Sequence, residues 1–209
     1  MVKGIKVIHV VANSKFARKA EDCGADAIVA EGFEAGGHNG REETTTLCLI
    51  PIIKDSVSIP VIAAGGIADG RSMLAAMALG ADGVQVGSAF AASAESSAHQ
   101  KFKEAILTAS EGDTKLSMKS VIPVRLLKNE FFAQVEKAEK AGADKNELIK
   151  LLGRGRAKKG MFEGDLIDGE LEIGQVASMI NRIRPAADIV KNIWEDFLDR
   201  REYICNLQL

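Results

Sequence analysis

Apolar positions in the first hundred residues fall into short, nearly unbroken runs, separated by glycine-bearing turns and by segments with helical spacing. Lys6-Val7-Ile8-His9-Val10-Val11, Ala27-Ile28-Val29-Ala30, Ile59-Pro60-Val61-Ile62-Ala63-Ala64 and Gly83-Val84-Gln85-Val86-Gly87-Ser88 read as strands. Runs this continuous belong to strands buried on both faces. Between them, Asn13-Ser14 is set to cap a helix with Phe16, Ala17, Ala20 and Cys23 on one face, closed by Gly24. Thr44-Thr45-Thr46 opens a second helix through Leu47, Leu49, Ile50 and Ile53, in which Pro51 marks a kink or a late start. A third runs from about Arg71 to Leu79 and stops at Gly80. The pattern is four βα units, which predicts a parallel sheet, open or closed into a barrel.

An internal echo supports this reading. Gly24-Ala25-Asp26 and Gly80-Ala81-Asp82 each lie between a helix and a buried strand, whereas a third copy, Gly142-Ala143-Asp144, is followed by the helical spacing of Lys145 to Lys150. Beyond about residue 110 the chain is expected to be mostly helical, with helices near 129–141, 144–152, 173–183 and 186–201. The expected organisation is therefore a βα region over residues 1–110 and a helical cap over 111–209.

Composition narrows the class. A formal net charge of -2 and a pI near 6.0 argue against nucleic acid or an anionic membrane as the main partner. No apolar run reaches the roughly 18 to 20 residues a bilayer span needs, and Met1-Val2-Lys3-Gly4 leads directly into a strand, so a cytoplasmic location is expected. Cys23, Cys48 and Cys205 are far apart and odd in number, which reads as reduced thiols. No His, Cys, Asp or Glu group has metal-ligand spacing, so no metal site is expected.

The candidate chemistry lies where strands end. Glu31-Gly32-Phe33-Glu34-Ala35-Gly36-Gly37-His38-Asn39-Gly40 follows the second strand, and its small residues allow backbone to approach a flat ligand while presenting one imidazole. Gly65-Gly66, and Gly87-Ser88 after the next strand, offer unhindered N–H groups suited to a phosphate without a lysine. Right-handed crossovers put these turns on one rim.

Three of these stretches carry a resemblance. Glu34 to Gly40, Ile62 to Arg71 and Gly83 to Phe90 resemble successive motifs of the nitronate monooxygenase family, which includes the flavin-dependent enoyl-acyl carrier protein reductases of the FabK type. Gly164-Asp165 and Glu170 to Val176 resemble its carboxyl-terminal region. The resemblance implies an FMN-binding TIM (β/α)8 barrel with the flavin at the carboxyl ends of the strands. It also implies that Gly65, Gly66, Gly87 and Ser88 hold the FMN phosphate, that Ala35 and Gly37 lie against the flavin, and that His38 is the catalytic group. The four βα units match the family's last four, so the expected fold is the second half of such a barrel with the helical cap, completed by pairing of two copies as a homodimer if the barrel is to close.

The activity implied first is nitronate oxidation by dioxygen to a carbonyl compound and nitrite. The alternatives are NAD(P)H-dependent reduction of an enoyl thioester on acyl carrier protein and a catalytically silent half-barrel. Other residues have plainer readings. His9 is expected in the core or at the rim, and His99 on a helix surface. Glu34 either orients His38 or is an exposed loop carboxylate, and Arg71 either counters a phosphate or faces solvent. Arg154, Arg156, Lys158 and Lys159 form a solvated basic loop or a contact for an acidic carrier protein or a nucleotide phosphate.

Overall fold

The computed structural model describes residues 4–207, so the Met1 to Lys3 lead-in to the first strand lies outside the described residues. Strands β1 (Ile8–Val11) and β2 (Ala27–Glu31) are joined by helix α1 (Ser14–Asp22). A two-residue strand, β3 (Gly37–His38), and helix α2 (Thr46–Lys54) precede β4 (Val61–Ala64), helix α3 (Gly70–Ala78) and β5 (Gly83–Gln85). The main sheet is parallel in the order β1-β2-β4-β5, with Ile8 opposite Ala27, Ile28 opposite Val61 and Ile62 opposite Gly83. Pro51 sits inside α2 without ending it, and its carbonyl accepts the N–H of Asp55.

The Gly-Ala-Asp repeat has a physical meaning. Asp26 and Asp82 each donate their N–H to the carbonyl of a residue at the start of the neighbouring strand, Val7 just before β1 and Val61 as the first residue of β4, at 2.7 Å. Their carboxylates accept the N–H of the same residue at 2.8 Å and a lysine, Lys6 or Lys54, at 2.7 and 2.6 Å. Each aspartate thus clamps two parallel strands in register. The third copy is followed by no strand, and Asp144 instead closes a reciprocal cap with Glu147 at the start of a helix.

One predicted helix face needs correction. Ala17 and Ala20 are buried, but Phe16 is 51% exposed and Cys23 is exposed, because among the described residues no element covers the outer side of β1. The same open side leaves Ile8, His9 and Val10 exposed. His9 is therefore not a core residue. Val7 and His9, with Phe16 and Cys23 of α1, line an apolar groove along the sheet edge.

Residues after 110 hold more sheet than their helical spacing predicts. Beyond the short helix α4 (Ser88–Ala91) and α5 (Gln100–Leu107), strands β6 (Thr114–Ser117) and β7 (Val124–Leu127) form an antiparallel hairpin, and β3 joins it in the order β3-β7-β6. A buried arginine within β7 hid this strand from a hydrophobic reading. Helices α6 (Glu130–Lys140) and α7 (Lys145–Leu152) pack against the hairpin through Phe131, Phe132, Val135 and Leu148. The helix expected near 173–183 contracts to a 3-10 turn at Gln175–Met179. The segment before it is held extended, since Leu171 accepts the N–H of Leu127 at 2.8 Å and Glu172 bridges to Leu126.

The last helix, α8 (Ala186–Cys205), returns to the βα half and packs on α3. Gly70 makes this possible, because a Cβ there would run into the backbone of Phe197, whose ring stacks on Trp194 at 5.3 Å.

Candidate functional site

Carboxyl ends of adjacent parallel strands lie side by side, so the turns after β2, β4 and β5 converge. Ala35, Gly36, Gly65, Gly66, Gly87 and Ser88 line one cleft of about 300 Å³, together with Glu31, Gln85, Glu172 and Gly174. Gly65 and Gly66 have φ of +83° and +72°, and a Cβ on Gly65 would lie 2.7 Å from the carbonyl oxygen of Gly32. Glycine is required at Gly65 by backbone conformation and by space. At Gly87 neither reason applies, since its φ is -106° and a Cβ would meet nothing within 4 Å. Among the described residues the backbone N–H groups of Gly65, Gly66 and Gly87 have no backbone acceptor. The Ser88 hydroxyl accepts the N–H of Gly174 at 3.0 Å, which leaves its own proton free to donate.

The loop carrying these groups is fixed from beneath. Glu34 turns away from His38 and accepts the N–H of Thr46 at 2.9 Å, at the start of α2, where a carboxylate is favoured by the helix dipole. The Thr46 hydroxyl lies 2.9 Å from Glu34 and 2.9 Å from the carbonyl oxygen of Gly65, linking two of the turns. Glu34 is thus neither an orienter of His38 nor a free loop carboxylate. Arg125, 1% exposed, donates from its guanidinium to the carbonyl of Phe33 at 3.1 and 2.8 Å and lies over the Phe33 ring at 4.5 Å. Glu34 and Glu43 supply its nearby negative charge. No sequence pattern marked Arg125; its main partner, Phe33, is some ninety residues away.

His38 and Gly37 stand apart from that cleft. Gly37 pairs with Arg125 and His38 with Val124, so the imidazole is carried on a strand, not on a free loop. A second cleft of about 230 Å³ is lined by His38, Met118, Val121, Val124, Arg156, Glu170 and Glu172. Glu172 borders both clefts, and its carboxylate is the atom a Cβ on Gly37 would meet, at 2.6 Å. Burial, with the charge of Glu172 added, pushes the Glu170 carboxyl up to about 7, while Arg156 opposes the shift. Burial also raises Glu31 in the first cleft. The structure therefore gathers Ala35, Gly65, Gly66, Gly87 and Ser88 in one cleft and His38 in the next. Sequence reasoning passed over Glu170 and Glu172 as chemistry, although their spacing of two in an extended segment puts them on one face.

The remaining candidates take structural roles. Arg71 pairs with Asp69, which also caps α3, so neither is free for a phosphate. Arg156 donates to the carbonyls of Leu152, Asp168 and Leu151 and lies 4.3 Å over Phe131, and Lys159 pairs with Asp165. The basic run is thus not a patch of four free cations. His99 caps α5 through Nδ1, which accepts the N–H of Lys101. No group of three or more His, Cys, Asp or Glu among the described residues could hold a metal ion. No helix among them is long and apolar enough to cross a membrane.

A family model for nitronate monooxygenase matches residues 2–196. The chain belongs to the nitronate monooxygenase family. A probable nitronate monooxygenase of Staphylococcus saprophyticus is 39% identical over 171 residues, covering 75% of this chain and 48% of its own length. One from Staphylococcus aureus is 48% identical over 118 residues, or 53% of this chain and 33% of its own. Among solved structures, FabK from Thermotoga maritima superposes with a TM-score of 0.90 at 42% identity, covering 96% of this chain and 63% of that one. Nitroalkane oxidase from Streptomyces ansochromogenes gives 0.77 at 32% identity, covering 96% and 60%. The chain spans about half the length of the first of these curated relatives. Its parallel sheet is thus half of a TIM barrel, in a family of flavin-dependent oxidoreductases.

Proposed function

We propose that this chain carries the phosphate side of an FMN site and the acid–base group of a flavin-dependent oxidoreductase. The observation that carries this reading is the set of N–H groups at Gly65, Gly66 and Gly87 without a backbone acceptor, beside the free proton of Ser88. These are donors for a phosphate, and the open space in front of Gly87 is where one fits. Gly65, Gly66, Gly87 and Ser88 would hold the phosphate, with Ala35 toward the ring. FMN, when bound, supplies two-electron chemistry between a reductant and an acceptor. The chain's own part is to bind, to exclude water through the apolar wall of Met118, Val121 and Val124, and to move one proton at His38. An imidazole can give or take that proton near neutral pH.

Between the two substrates, the likeness to FabK over 96% of the chain, at 42% identity, supports an enoyl thioester reduced at the expense of NAD(P)H. His38 then delivers a proton to the α-carbon. Nitronate oxidation by dioxygen is the second reading, supported by the probable nitronate monooxygenases at 39 and 48% identity, and there His38 removes the α-proton of the nitroalkane. The test is gel filtration of the purified chain with added FMN, read by visible absorption. A flavin band co-eluting with protein is expected, and the elution volume reports whether two copies pair. A colourless protein peak overturns the flavin reading for this chain and leaves a silent half-barrel. Given a yellow protein, anaerobic NAD(P)H consumption with an enoyl thioester, against oxygen uptake with a nitroalkane, separates the substrates.

A further inference from the structure

We infer that Glu170 is a positioning residue for His38: across their shared cleft its carboxyl stores the proton that the imidazole exchanges and returns it through intervening water. The inference rests on His38 being the acid–base group of the proposed function.

The geometry begins with alternation. In the extended segment after Gly169, Leu171 and Ile173 point into the core beside Phe102 and Ile106, which leaves Glu170 and Glu172 together on the side of the His38 cleft. The main chain of Glu170 is pinned, its N–H donating to the carbonyl of Arg156 at 3.0 Å and its own carbonyl packed so closely on Gly160 that no Cβ fits there. The residue is 8% exposed, and its side chain reaches the cleft without a hydrogen-bond partner among the described residues. Other carboxylates around this part of the fold are engaged: Glu34 with Thr46, Glu43 with Lys119, and Glu139 with the N–H of Met118.

The charged and titratable groups that line the cleft with Glu170 are His38, Glu172 and Arg156, of which Glu172 and Arg156 act on its charge. Arg156 directs its N–H groups to three backbone carbonyls, so it lends charge without forming an ion pair with Glu170. Burial and Glu172 keep the Glu170 carboxyl protonated into the range where an imidazole exchanges protons. In the reducing direction, His38 loses its ring proton to the substrate α-carbon. The Glu170 O–H bond then breaks, its proton passes through water to the imidazole, and the carboxylate takes a proton from solvent. In the oxidising direction Glu170 first gives its proton to solvent, and the α-proton then goes to His38 and on to the Glu170 carboxylate. No electrons move in either transfer.

The experiment is an NMR pH titration of the His38 ring signals in the full chain and in Glu170→Gln. The wild-type curve is expected to show a second step as Glu170 ionises. In Glu170→Gln that second step vanishes. Superimposable curves from two folded proteins overturn the inference. Should Glu170→Gln not fold, Glu172→Gln serves: losing that charge moves the second step in the His38 curve to lower pH, and an unmoved step overturns the relay. The titration needs no turnover. An active enzyme with uncoupled curves would sink the relay alone, and coupled curves in an inactive chain would sink the activity alone.

Discussion

The two neighbouring clefts are built from different materials. The one under Gly65, Gly66 and Gly87 is mostly backbone, with donors supplied by the ends of parallel strands and one hydroxyl at Ser88. The one holding His38 is made of side chains, an imidazole, two carboxylates and a guanidinium against an apolar wall. The first can hold a ligand on fixed N–H groups but has no imidazole, and the second can move a proton but offers few fixed N–H donors. Glu172 lines both, so the division of labour is joined at one residue.

The sharpest way to break that division is to remove what holds the clefts together. Arg125→Met deletes a buried guanidinium that ties the Phe33 carbonyl to β7 and leaves Glu34 without its nearby positive charge. Breaking a buried charge network from one side costs about 3 kcal/mol or more. Urea denaturation should show that loss, and an unchanged midpoint would mean that Arg125 is replaceable by apolar packing.

Next comes the side-chain cleft alone. His38→Ala should leave flavin content nearly intact while lowering turnover by about 10²-fold, the effect expected for losing an acid–base group. Its exposed position on β3 means the fold should not suffer. Turnover equal to wild type would remove His38 from the chemistry.

The backbone cleft gives a smaller and more selective effect. Gly87→Ala adds a methyl group in open space at an ordinary φ, so stability should hold within about 0.5 kcal/mol. FMN affinity should drop by about 10-fold, read by fluorescence titration, because the methyl group occupies the approach to the phosphate donors. Gly65→Ala is the contrast: positive φ and the Gly32 carbonyl make it costly to the fold as well. If both variants bind FMN as wild type does, the phosphate is not held here.

The same contrast decides what could be read from the chain. The backbone cleft was legible because each of its parts is local: an apolar strand, then a glycine turn, repeated at Ala64-Gly65 and Gln85 to Ser88. The clamp made by Asp26 and Asp82 left its trace as a repeated tripeptide. The side-chain cleft was legible only at His38. Its other members meet through pairings of high sequence separation, His38 with Val124 and Leu126 with Glu172, and short strands such as Val124–Leu127 carry no period strong enough to announce them. Arg156 read as part of a basic loop, since charge in a sequence does not tell whether a guanidinium meets solvent or backbone carbonyls.

The smallest expected effect separates the clefts by pH. The Glu170 carboxyl, raised to about 7, lies above its value in an unfolded chain, so between those two values the folded protein binds more protons than the unfolded one. Its contribution is therefore fully present below about pH 4.5 and is lost as the pH rises through about 7. After allowance for solvent at the cleft mouth the loss should be about 1 kcal/mol. Glu170→Gln keeps the shape without the ionisation, so the difference in unfolding free energy between wild type and variant should grow by that amount from pH 5 to pH 8. FMN affinity of the backbone cleft should follow the same pH curve in wild type and in Glu170→Gln, because Glu170 supplies none of the proposed phosphate donors. A parallel pair of stability curves would mean that Glu170 meets enough water to ionise freely, and the side-chain cleft would then be an open surface instead of a proton store.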